Sequence, residues 1–78
     1  MKLWLLTQDE CVGWDTYDSA IVAAETEDEA QSITPHGNGF DEDQFSWAHS
    51  PDAVLVKLIG EAIEGTPAGL ILASFNAG

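Results

Sequence analysis

Four apolar blocks alternate with polar, glycine-containing stretches along this chain, and only one short segment has helical spacing. The block Lys2 to Thr7 is apolar and β-compatible, and it gives way to Gln8-Asp9-Glu10, a polar stretch that stops a strand. Gly13 and the tract Trp14-Asp15-Thr16 lead into Tyr17 to Ala24, where Ile21, Val22 and flanking alanines suit a second buried strand. These two blocks predict an antiparallel hairpin with a long, acid-rich connection. Next, Thr26-Glu27-Asp28-Glu29 has the form of a capping box, in which the Thr26 hydroxyl accepts from the Glu29 amide and the Glu29 carboxylate reaches back to residue 26. Ala30 and Ile33 supply an apolar i,i+3 pair, the first-turn acids face the positive end of the helix dipole, and Pro35 forces an exit, so the helix is about two turns long.

From His36 to Asp52 the composition shifts to Gly, Asn, Ser, Pro and acids, interrupted by Phe40, Phe45 and Trp47. Leaving such aromatics in water costs several kcal/mol at ~25 cal/mol per Å² of apolar surface, so this segment is expected to fold back onto the body. Ala53 to Ala62 reads as a third strand, with Val54, Val56 and Leu58 alternating against Lys57 and Glu61. Gly65, Pro67 and Gly69 then supply a turn into a fourth strand, Leu70 to Phe75.

The order β-β-α-β-β predicts an α+β domain spanning residues 1–78: two hairpins with a helix between them, forming a four-stranded, mainly antiparallel sheet with the short helix packed on one face. One short helix cannot cover such a sheet. Both parities of the first and last strands are apolar (Leu3, Trp4, Leu5, Leu6 and Leu70, Ile71, Leu72), so the other face needs a cap, from the aromatic loop or from a second subunit in a homodimer.

Composition adds the functional constraint. At 78 residues there is room for one core, and 45% apolar residues with three tryptophans exceed what a disordered chain carries despite a net charge of -12. No apolar run approaches the ~20 residues of a membrane span, and no basic segment precedes an apolar one, so neither insertion nor export is expected. Cys11 is the only cysteine, which excludes an internal disulfide and fits a reducing cytoplasm. Fourteen acids face two lysines and no arginine. Counterion release and guanine readout both depend on Lys and Arg, so direct contact with nucleic acid or an anionic membrane is disfavoured and a basic protein surface is the favoured partner.

Catalytic equipment is sparse. His36 and His49 flank Asp41, Glu42 and Asp43 without a recognised metal-ligand spacing, and the same acid run lacks the ligand alternation of a calcium loop. No catalytic residue, metal or cofactor is expected. The acids instead cluster: Asp9, Glu10, Asp15 and Asp18 around the first connection, Glu25, Glu27, Asp28 and Glu29 at the helix start, and Asp41, Glu42 and Asp43 in the long loop. Fourteen carboxylates equal the charge on roughly 24 Å of duplex DNA, a density suited to a Lys/Arg groove, although acidity also serves solubility. Trp14 and Tyr17, beside Asp15 and Asp18, are candidates for a mixed aromatic and acidic contact patch, and packing roles are equally open to them.

The opening Met1-Lys2-Leu3-Trp4-Leu5-Leu6-Thr7-Gln8, the tract Trp14-Asp15-Thr16-Tyr17-Asp18-Ser19-Ala20 and the ending Ala73-Ser74-Phe75-Asn76-Ala77-Gly78 resemble a family of short bacteriophage and prophage proteins, most of them uncharacterised. The likeness covers both ends and the first hairpin; in the middle, Pro35-His36-Gly37 departs from the His-Pro order of that family. Small acidic phage proteins of this size include anti-CRISPR proteins. By that analogy the partner is a subunit of a CRISPR effector complex in the bacterial host, and the carboxylates stand in for phosphates against Arg and Lys. The alternative is a phage accessory adaptor or regulator that binds a host protein through its apolar sheet face.

Overall fold

The computed structural model describes residues 1–11, 13–37, 39–40 and 46–76. Among these residues four strands form one antiparallel sheet: β1 (Lys2–Thr7), β2 (Thr16–Ala24), β3 (Leu55–Glu61) and β4 (Gly69–Asn76), with one helix α1 (Glu27–Gln31) and a 3-10 turn (Pro51–Ala53) between β2 and β3. The α+β class and the element order agree with the sequence pattern. The pairing does not follow it throughout. In the spatial order β3-β1-β2-β4, β1 and β2 form the expected hairpin, but β3 and β4 lie on opposite edges and never pair. The stretch 62–68, with its glycine and proline turn residues, is therefore a crossing and not a hairpin turn. It passes along the end of the sheet where β1 starts, and the Ala62 amide donates to the Met1 carbonyl there at 2.9 Å.

Alternation in β1 decides which face becomes the core. Trp4 and Leu6 are buried, while Leu3, Leu5 and Thr7 point the other way and are half-buried. Across the register Trp4 meets Val22, Leu6 meets Ala20, and Ala24 closes the row on β2. These residues, with Ala30 of α1 and with Trp47, Ala48 and Val54, make the core; Ile33, Phe40, Tyr17 and Val56 pack against it. Trp47 is fully buried. Phe40 and Trp47 therefore fold back as expected, but on the side that α1 already occupies; Phe45 lies outside the described residues. Small alanines on β2 let α1 and Trp47 approach the sheet closely, which explains why both are drawn to the same face.

The helix is five residues long, shorter than the two turns expected, because Pro35 and the Thr34–Gly37 turn end it early. Its cap is as expected on one side, with Glu29 donating its amide to the Thr26 hydroxyl at 3.2 Å, while the Glu29 carboxylate accepts from the amide of residue 25, one position earlier than in the standard box. Gln31 at its last turn donates to the Pro51 carbonyl at 2.7 Å and so ties α1 to the 3-10 turn that leads into β3.

Three bulges twist the sheet. Ile59 is an extra residue on β3 opposite the Leu3–Trp4 step, Ile71 is an extra residue on β4 opposite Ile21–Val22, and Asp18 is an extra residue on β2 opposite Ser74–Phe75.

Candidate functional site

The register also defines the uncovered face of the sheet. Leu3, Leu5 and Thr7 of β1, Ser19, Ile21 and Ala23 of β2, Leu55 and Lys57 of β3, and Leu72 and Ser74 of β4 share it. It is open at its edge strands, where Leu55 is 70% exposed and Leu72 64%, while Leu3, Leu5 and Ile21 are half-buried and Ala23, at the end where β1 starts, is fully buried. A shallow depression of about 310 Å³ crosses it, lined mainly by Leu5, Ile21, Leu72 and the small residues Ser19 and Ser74. Lys57 is the only charged residue among these paired positions.

Eleven of the fourteen acids are in the described residues, and all of them sit in or beside the connections. Asp9, Glu10, Asp15 and Asp18 gather where β1 hands over to β2, and Asp52 lies in the 3-10 turn that precedes β3. Glu25, Glu27, Asp28 and Glu29 crowd the start of α1 at the opposite end of β2, where β3 finishes at Glu61 and the crossing carries Glu64. All eleven are exposed. Strand β2 separates the two main groups, with Asp18 and Glu25 about 23 Å apart along it at ~3.3 Å per residue. Asp41, Glu42 and Asp43 lie outside the described residues.

The aromatic pair expected beside Asp15 and Asp18 is divided by the strand. Trp14 is 72% exposed and stands next to Asp15, whereas Tyr17 turns to the core side, its ring 4.8 Å from that of Phe75. Asp15 itself adopts a left-handed backbone, φ 61°, a conformation that short polar residues tolerate better than most.

The chain matches no family model, no curated protein and no solved structure. Function has to be read from the surfaces and from the groups that hold them in place.

Two of those groups escape sequence reading. Gln8, buried just past β1, donates through Nε2 to the carbonyls of Cys11 at 2.7 Å and Tyr17 at 2.9 Å, and through Oε1 accepts from the amides of Glu10 at 2.9 Å and Cys11 at 2.8 Å. One side chain thus organises the loop that carries Asp9 and Glu10. In sequence it looks like an ordinary polar strand stop. The second is a contact between the Cys11 Sγ and His49 Nε2 at 3.5 Å, joining residues 38 positions apart that no short motif could connect. Glu10 accepts from the His49 amide at 3.0 Å, and the Tyr17 amide donates to the Ser46 carbonyl at 2.7 Å, so residues 46–49 are laced to the acidic turn. Burial, and then the neighbouring Glu10 carboxylate, push the Cys11 thiol above its ordinary value. A raised thiol is the reverse of what an activated cysteine nucleophile needs. Among the described residues, no three His, Cys, Asp or Glu side chains converge as metal ligands, and no helix is long and apolar enough to cross a membrane.

Proposed function

We propose that this chain is a non-catalytic inhibitory binding protein of the bacterial cytoplasm, whose carboxylates occupy a Lys/Arg surface that normally receives DNA. One observation carries this: every described acid is exposed and placed at an end of the sheet, none within the paired positions of its open face. With two lysines for fourteen acids, at least twelve carboxylates have no lysine of their own and keep their charge available to a partner. Such a surface accelerates encounter with a basic groove and forms charge-assisted hydrogen bonds to guanidinium groups. A CRISPR effector subunit has the complementary chemistry, since its channel binds the nucleic-acid backbone through basic side chains.

A second reading, an adaptor docking through the apolar sheet face, is favoured by the exposure of Leu55 and Leu72. Capture of partners from a bacterial lysate at low and high salt separates the two. A nucleic-acid-handling partner released near 0.5 M salt, where the Debye length is about 4 Å, supports inhibition through the acids. A partner retained at that salt and lost on Leu72→Glu supports the adaptor.

A further inference from the structure

The open face of the sheet is where this fold is incomplete. Its four strands, at about 4.8 Å spacing and six residues of about 3.4 Å each, span about 400 Å² in plan. Specific interfaces begin at roughly 600 Å² per partner, so Leu3, Leu5, Ile21, Leu55 and Leu72 offer a contact of the weak, transient class. A patch of that extent matches the largest apolar patch of a typical soluble monomer, roughly 300–600 Å², which is often functional.

We infer that a second copy of this chain covers it, the two sheets packing face to face as the layers of a sandwich. Three features select a second copy. The first is charge: two molecules of net charge -12 approach most readily through a surface poor in acids, and the paired positions of this face carry none, while Asp18, whose carboxylate accepts from the Ser19 hydroxyl, stands at its margin with the acidic ends at the rim. The second concerns other partners. A basic protein drawn by the acids finds on this face only the Asp18 carboxylate, at the margin beside Ser19, and meets Lys57 there, so the face poorly complements the partner that the rest of the surface attracts. The third concerns other geometries. Both edge strands carry a bulge, at Ile59 on β3 and Ile71 on β4, and bulges twist an edge away from further strand pairing. Edge-to-edge growth is thereby blunted while the face stays open. Sheets packed this way lie about 10 Å apart, a gap that leucine and isoleucine side chains from both copies fill.

Sedimentation equilibrium on the intact chain, up to about 0.5 mM and at low and about 0.5 M salt, tests this. The expected result is a monomer–dimer equilibrium that tightens with salt, because salt screens the repulsion between like-charged copies. Leu55→Glu and Leu72→Glu, on opposite edge strands of the same face, each weaken the dimer at least about tenfold, while Ile63→Glu, 83% exposed in the crossing, leaves it unchanged. A monomer under all conditions overturns the inference, as does a dimer indifferent to both face variants. A dimer sensitive to Leu72→Glu alone also overturns it, because that pattern belongs to pairing along the β4 edge. Should a variant lose its sheet by circular dichroism, methyl contacts between labelled and unlabelled wild-type copies decide the matter: cross-copy signals among Leu5, Ile21 and Leu72 support the sandwich, and their absence at a concentration where dimer forms refutes it.

Discussion

Replacing Gln8 by methionine keeps the length of the side chain and removes all four of its hydrogen bonds to the loop between β1 and β2. The amide and carbonyl of Cys11 are buried and lose their partners, while the Glu10 amide is close enough to solvent to find water. Each buried backbone group left unsatisfied costs about 1–3 kcal/mol, so Gln8→Met is expected to destabilise the fold by about 3 kcal/mol. For a domain of this size that lowers the melting temperature by roughly 12–24 °C. Thermal and urea unfolding followed by far-UV circular dichroism measure it. Gln8→Glu separates the two halves of the network, because it retains the acceptor and replaces the amide donor with an oxygen facing two carbonyls; it is expected to be at least as damaging as methionine. A loss below about 0.5 kcal/mol in Gln8→Met would refute the assignment of this side chain as the organiser of the acidic turn.

Trp47→Ala, which empties the largest fully buried position, is expected to cost about 3–5 kcal/mol, whereas Trp14→Ala, at a position 72% exposed, is expected to stay within about 0.5 kcal/mol; equilibrium denaturation reads both. Thr26→Ala removes the hydroxyl that caps α1 and should cost about 1 kcal/mol by the same assay. Cys11 is expected to react with iodoacetamide more slowly than free cysteine at neutral pH and to reach the free rate once the protein is unfolded in urea. The same raised thiol makes the folded state hold its proton more tightly than the unfolded chain. Its contribution to stability is therefore complete below the ordinary value of 9.0 and is lost as the pH rises through the folded value; stability of wild type against Cys11→Ser across that alkaline range checks the sign.

What could be read from the chain was whatever depends on local pattern. The boundaries of β1, the cap at Thr26 and the end of α1 before Pro35 follow from spacing and turn chemistry, and the structure has all three. Which strands pair was not readable for β3 and β4, because a glycine and proline stretch of seven residues serves a hairpin and a crossing equally well. The bulk of Trp47 announced burial but not the face, which the row of alanines on β2 decided. The acidic clusters were visible as runs; their separation to opposite ends of β2 required the fold. Gln8 and the Cys11–His49 contact had no local signature, since both take their meaning from partners brought in by tertiary structure.

The central claim is that the acids at the ends of the sheet are the surface that meets a basic partner, and its most direct test is the salt dependence of that complex. Titrating the captured partner with wild type and with the triple variant Glu27→Lys, Asp28→Lys and Glu29→Lys, across a series of salt concentrations, gives the slope of log affinity against log salt. The account predicts a steep slope for wild type and a large loss of affinity with a flattened slope for the triple variant. Equal affinity and equal slope for the two proteins would contradict it.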